Sequence, residues 1–228
     1  MSEHPIIMSA ESVRAILAGR KSQTRRVMKC QPLDILPCSN GREWVTLDTR
    51  EPEPHGKLIR CRYGQAGDLL WVRETWGIVD MWMHSGAALA DFNSDDDVAA
   101  YIGPIPGFYD VDELKEHVVY RADHDRQFCW RPSIHMPRWA SRLTLGLTSV
   151  RAVRVQDITA QDVEAEGVDV VGHLPLLPRP GATLDALTQL MAQRLYYELW
   201  DSINAKRGYS WDSNPWCWVL AFEVSGER

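Results

Sequence analysis

Gly19-Arg20-Lys21-Ser22-Gln23-Thr24-Arg25-Arg26 sets a lysine, hydroxyls and paired arginines into one short connection. Upstream, Ile6-Ile7-Met8 reads as a short strand, and Ser9 then offers a helix N-cap with Glu11 in the first turn. Val13, Ile16 and Leu17 recur at helical spacing, and Gly19 can take the left-handed conformation that ends a helix. The pattern predicts a helix over about residues 10–18, with Lys21 just past it. Downstream, Thr24 to Met28 reads as extended, so Thr24 and Arg26 share one face of a strand. Such a connection reads in two ways. It is a site, because connections carry function, or a set of cations at the negative end of a helix dipole.

Working outward, residues 31–57 hold Pro32, Pro37, Pro52 and Pro54 with an Asn40-Gly41 turn signal. Trp44 to Leu47 and Leu58 to Cys61 read as the two strands of a hairpin. Leu69-Leu70-Trp71-Val72-Arg73-Glu74-Thr75-Trp76 is the most strand-like run. It puts Glu74 on the face of Leu70, Val72 and Trp76, where a carboxylate must be paired, hydrogen-bonded or neutral. The bland alternative is a strand-end acid already in solvent. Residues 77–117 are irregular and acidic and read as an insertion or flap. Val118 to Ala122 returns as a strand, and Trp130 to Trp139 is a two-proline loop rich in aromatics and cations. That composition suits base stacking with phosphate contacts, or else ordinary proline-braced packing. Its His135, taken alone, reads as a hydrogen-bonded structural residue before a base.

Arg142 to Thr148 alternates cleanly, Val150 to Val155 continues it, and Thr159 caps a short helix to about Glu166 that Gly167 stops. Residues 172–183 are Pro/Gly-rich. Leu184 to Lys206 is the longest helical pattern, with Leu187, Leu190, Met191, Leu195, Leu199 and Ile203 on or near one face. Trp216 to Val224 closes the chain as a buried strand. There is no internal repeat, and the chain reads as one α+β domain over 1–228 with an insertion at 77–117.

The 228 residues, 45% of them hydrophobic, suffice for a real core. A net charge of −6 excludes a strongly basic whole-protein field, so any nucleic-acid contact must be a local patch or a pocket for one nucleotide. No apolar run approaches the roughly 20 residues that span a bilayer. The expectation is a cytoplasmic protein without membrane contact. Five cysteines without a Cys-x-x-Cys pair fit reduced thiols, and Cys30, Cys38 and Cys61 match no standard zinc spacing. No metal or cofactor is called for.

Lys21 is a base only if its proton leaves near neutrality, which burial or the neighbouring Arg25 and Arg26 would favour. A neutral Lys21 could take a proton from Thr24 or from water, and that oxygen could attack an acyl carbon. Glu74 could hold a proton for the leaving amine, and Arg26 a phosphate or an oxyanion.

The stretch matches the Gly-x-Lys-x-x-Thr-x-Arg signature of the ASCH domain, in the PUA-like superfamily. YGQAGDLLWVRETW, WRPSIHMPRWASR and LWDSINAKRG with the Trp-rich end resemble ASCH-containing proteins of bacteriophages and prophages. The resemblance implies a partly closed β-barrel flanked by helices, with the signature lining a cleft, and recognition of RNA or a modified nucleoside. A small bacterial branch hydrolyses the acetyl amide of N(4)-acetylcytidine with a lysine, a threonine and a glutamate. These fall on Lys21, Thr24 and Glu74, and the signature arginine on Arg26. The present chain is about twice that branch's size, and its insertion and long helix have no counterpart there. Three functions follow as expectations. One is an amidohydrolase on an N-acylated cytosine nucleoside. A second is a non-catalytic reader of RNA or a modified nucleotide through Lys21, Arg25, Arg26, Arg131, Arg138 and nearby tryptophans; the substrate-binding residues expected overall are Arg25, Arg26, Trp76, Arg131, His135, Arg138 and Trp139. The third is a phage accessory protein that binds a host protein through the insertion.

Overall fold

The first helix ends as its sequence demands. In the computed structural model, β1 (Glu3–Ile7) leads into α1 (Ala10–Leu17), and the Ser9 hydroxyl accepts the Ser12 N–H as an N-cap. Gly19 lies at φ 68°, the Gly19 N–H donates to the Ile16 carbonyl, and the Arg20 N–H donates to that of Ala15. This bond pair is a Schellman stop, and it fixes where the chain emerges. The Lys21 N–H returns to the same Ala15 carbonyl, and β2 (Gln23–Val27) starts two residues later.

The structure describes residues 1–40, 43–47, 56–78, 118–124, 130–173 and 184–227. Outside them lie Gly41 of the expected turn, Pro52 and Pro54, the insertion beyond Ile78, and most of the Pro/Gly-rich 172–183 stretch. The described chain is α+β. It continues with β3 (Asp34–Pro37), β4 (Trp44–Leu47), β5 (Lys57–Ile59), β6 (Leu69–Arg73), β7 (Trp76–Ile78) and β8 (Val118–Tyr120). After β9 (Leu143–Arg154) come α2 (Ala160–Ala165), α3 (Leu184–Asn204) and β10 (Trp216–Glu227). A five-stranded sheet has the order β1-β6-β9-β10-β2; β3-β4-β5 and β7-β8 form smaller sheets. Among the described residues no sheet closes on itself as a barrel.

The chain divides into two compact units. Unit 1 is Met1–His4, Ala15–Leu70 and Leu145–Ser225; unit 2 is Pro5–Arg14, Trp71–Thr144 and Gly226–Arg228. In unit 1, β2 pairs antiparallel with β10, setting Leu220 opposite Thr24, Val219 opposite Arg25 and Trp218 opposite Arg26. The hairpin of β4 and β5 forms as expected, with Trp44 opposite Ile59, and β3 adds a third strand that the prolines had concealed. The Thr159 hydroxyl accepts the Asp162 N–H while the Asp162 carboxylate accepts the Thr159 N–H, a capping box at the start of α2.

Two expectations need correction. The buried stripe of α3 is Ala192, Tyr196, Trp200 and Asn204, packed on Val155, Ile158, Val163, Val170 and Cys217. Leu190, Leu199 and Ile203 of the expected leucine face are exposed, while Leu187, Met191 and Leu195 are half-buried. Two large rings at i and i+4 bury more apolar area than the scattered leucines, and they set the rotation of the helix. In unit 2, the expected continuous strand from 69 to 76 breaks at Glu74. The Glu74 N–H donates to Met136 Sδ at 3.3 Å instead of to a neighbouring strand. Trp76 then exchanges backbone hydrogen bonds with Arg131 and starts the β7-β8 ribbon opposite Tyr120. The expected face is still inward: Leu70, Val72, Glu74 and Trp76 are each at most 2% exposed.

Candidate functional site

Unit 1 gathers charge beneath the signature. Lys21 Nζ donates to the Glu166 carbonyl at 2.7 Å and to Glu166 Oε2 at 2.9 Å. Arg25 reaches Glu166 Oε1 at 3.4 Å and Asp162 Oδ2 at 2.9 Å. Gln23 Nε2 and the guanidinium of Arg151 both donate to Asp162 Oδ1 at 3.2 Å. The cluster is assembled by short-range structure. The Schellman stop aims Lys21, the capping box holds Asp162, and Gly167 ends α2 with Glu166 turned inward. At Gly167, with φ +88°, an added Cβ would stand 3.2 Å from Lys21 Cβ and 3.3 Å from Ala15 Cβ. Only glycine suits both that backbone and that approach.

Burial raises the Asp162 carboxyl, but Arg25, the Thr159 N–H and Gln23 together hold it below the usual carboxylate range. Tyr196, with Arg25 over its ring at 5.8 Å, is pushed well above a normal phenol by burial, with Glu166 adding to the shift. Burial pushes the Cys217 thiol up to about 12, against the pull of Arg25. Neither group is an anionic nucleophile at neutral pH. Lys21, Thr24, Arg25 and Glu166 are all buried, whereas Arg26 is half-buried opposite Trp218. Buried cations of this kind require carboxylate partners, and here they have them. Lys21 therefore rests with two of its N–H bonds committed to acceptors; a base must instead present a lone pair.

Glu74 belongs to unit 2. Both of its oxygens are held by Arg142, Nε to Oε1 at 3.0 Å and the terminal nitrogen to Oε2 at 3.2 Å. Arg142 also grips Asp123 at 2.6 and 3.1 Å and lies 4.0 Å over the Tyr120 ring. Burial raises the Glu74 carboxyl and outweighs the opposing pull of Arg142.

The aromatic loop folds as two single turns, Ser133–His135 and Arg138–Ala140, anchored by buried Met136 and Ala140 against Trp76. Arginines stack over its indoles. Arg73 and Arg138 lie 5.4 and 5.9 Å from the Trp71 ring, Arg131 5.1 Å from Trp76, and Arg121 5.6 Å from Trp130. With Arg142 on Tyr120, unit 2 holds five such stacks in just over forty described residues. Trp139 meets Trp76 edge-on at 5.9 Å, His135 is exposed, and Arg138 reaches Thr144 Oγ1 at 3.4 Å. Arg73 donates to the Ile134 carbonyl, while Arg73 Nε and Trp76 Nε1 are buried without a hydrogen-bond partner among the described residues.

The expected site residues thus fall into two groups. Lys21, Thr24, Arg25 and Arg26 belong to unit 1; Glu74, Trp76, Arg131, His135, Arg138 and Trp139 belong to unit 2. Glu166, Asp162, Arg142 and Trp71 were missed. A capping box with a glycine stop marks the α2 turn, but nothing in it marks Glu166 as inward. No family model, curated protein or solved structure matches the chain. No described helix is long and apolar enough to cross a membrane.

Proposed function

We propose that this is an ASCH-like protein of the PUA-like class that reads single-stranded RNA or a modified nucleotide, without chemistry, through the arginine–aromatic face of unit 2. The observation that supports it is Trp71, a half-buried indole with the guanidinium groups of Arg73 and Arg138 both within 6 Å of its ring. An indole covers a base irrespective of its identity, and arginines beside it suit phosphates. Arg131, His135 and Trp139 extend the same loop. The test is fluorescence anisotropy of a labelled 12-nucleotide RNA over a salt series. If about three arginines meet phosphates, the logarithm of affinity falls with that of salt at a slope of about −2. Trp71→Ala weakens binding roughly 5- to 150-fold, the worth of about 1–3 kcal/mol of stacking. Binding that ignores salt, or that Trp71→Ala leaves intact, refutes the reading.

A second reading, removal of an N-acyl group from an N(4)-acetylcytidine-like nucleoside, draws on unit 1. Lys21, on the same connection as Thr24, touches a buried carboxylate at hydrogen-bond distance. That is the proximity acid–base chemistry requires. The third expectation, a host-protein contact through the insertion, rests on residues outside those described.

A further inference from the structure

We infer that Arg73 is the phosphate seat of the unit 2 face: one edge of its guanidinium takes the phosphodiester of the nucleotide whose base lies against Trp71. The inference rests on the nucleic-acid reading and gives it a single named contact. Trp71 and Arg73 stand two residues apart on β6, so they share the face opposite buried Leu70 and Val72. Both are half-buried, and the guanidinium lies 5.4 Å from the ring centroid. A nucleotide carries a flat base and an anion on one sugar, and this pair offers a surface for each.

What singles out Arg73 is an edge only half used. Among the described residues no carboxylate pairs with it. Glu74, next in sequence, faces the other way and gives both oxygens to Arg142, which also takes Asp123. Arg73 makes one hydrogen bond, from Nη2 to the Ile134 carbonyl, and its Nε is buried with no acceptor among the described residues. Nε and Nη2 lie along the same edge of the guanidinium, the pair of N–H groups that grips two oxygens of one anion. A neutral carbonyl thus holds one of the two, and the other has nothing, which is rare for a buried N–H. Trp76 Nε1 also lacks a partner, but it belongs to the inward side, packed with Met136 and Ala140, and offers no seat on this face. Access to the edge is governed by the turn Ser133–His135. No residue of that turn is buried, and Ile134 is 57% exposed; the chain is anchored only at Met136 behind it. The Ile134 carbonyl can therefore yield its place to a phosphate oxygen without opening the core. A charged acceptor bonds a guanidinium more strongly than a neutral one, so the exchange favours the phosphate.

The test measures binding of a labelled 12-nucleotide RNA to the full chain by anisotropy over a salt series, with the wild type, Arg73→Gln and Arg73→Lys. Each phosphate that a single strand gives up to a cation contributes about 0.7 to the slope of log affinity against log salt. Arg73→Gln should weaken binding at least roughly fivefold, the worth of a charge-assisted contact, and make the slope shallower by about 0.7. A purely structural role would lower affinity without moving the slope. Arg73→Lys keeps the charge but has no two-donor edge. It should keep the wild-type slope and still bind at least roughly fivefold more weakly, and it carries the test if the glutamine variant does not fold. A glutamine variant with the wild-type slope, or a lysine variant with full affinity, overturns the seat while leaving the Trp71 reading intact. Wild-type binding that ignores salt, or that Trp71→Ala leaves unchanged, overturns both.

Discussion

Replacing Arg25 by methionine tests whether the unit 1 cluster holds the fold. The side chain is 1% exposed, so the substitution keeps the apolar stem and removes a buried charge. Stripping one partner from a buried ion pair costs about 3–5 kcal/mol, mostly because the other charge is left uncompensated. Here neither carboxylate is abandoned. Glu166 keeps Lys21 at 2.9 Å, and Asp162 keeps Gln23 and Arg151 at 3.2 Å. The loss therefore belongs at the lower end, about 3 kcal/mol. Arg25 Nε is itself buried without a partner among the described residues, and removing it returns about 1 kcal/mol. The net is about 2 kcal/mol, or about 4–8 °C in Tm for a chain of this length.

Urea unfolding followed by tryptophan fluorescence at pH 7 measures this, with Asp162→Asn and the double variant completing a cycle. The penalty should fade in acid. Asp162 is held below its ordinary value in the folded state, so its contribution is present above about pH 4 and is lost as pH falls through the folded value. A shift under about 0.5 kcal/mol, or strict additivity with Asp162→Asn, would refute the claim that these groups act together.

Gly167→Ala should cost about 2 kcal/mol in the same assay. An L-residue at that φ costs roughly 1–2 kcal/mol, and the new methyl crowds Lys21 at 3.2 Å; an unchanged midpoint would contradict the close approach. In unit 2, Arg142→Ala should destabilise by about 3 kcal/mol, because Glu74 is left buried without its cation. Glu74→Gln should cost less than about 1 kcal/mol at pH 7, since Arg142 keeps Asp123. Burial raises the Glu74 carboxyl when folded, so its favourable contribution is present below the unfolded value near pH 4.5 and is lost as pH rises through the folded one. The glutamine variant should therefore flatten the decline in stability above pH 4.5, measured by urea titrations from pH 4 to 7; an unaltered slope counts against a buried, raised Glu74.

What was legible in the chain is what local chemistry determines. Ser9, Gly19, Thr159 and Gly167 mark helix ends because caps are satisfied within a few residues, and the structure ends both helices there. The inward face of Leu70, Val72, Glu74 and Trp76 followed from alternation alone. The break after Arg73 did not, because it depends on Met136 and Arg131, some sixty residues away, drawing the backbone out of the sheet. The rotation of α3 escaped for a related reason. Periodicity counted leucines equally, whereas Tyr196 and Trp200 each cover more area and had Cys217 and Val163 to pack upon.

The site shows the same division more sharply. A lysine following a helix stop and an arginine inside a strand announce that charge is being carried inward, and such charge requires an acid. Nothing nearby supplies one, and the sequence offers 31 acidic residues. Glu74 is attractive because it lies among apolar neighbours, but that setting requires only some cation, and Arg142, immediately before an alternating strand, meets the requirement. Glu166 lies 145 residues from Lys21. Its one local mark is the glycine behind it, and that glycine would end the helix just as well with the glutamate in solvent. What distinguishes the two acids is the economy of partners. Arg142 satisfies both oxygens of Glu74, while Glu166 divides its oxygens between two cations and presents the shorter contact to the amine. On that asymmetry Glu166 is the acid that the charge carried inward by Lys21 requires, and Glu74 is the acid that Arg142 requires.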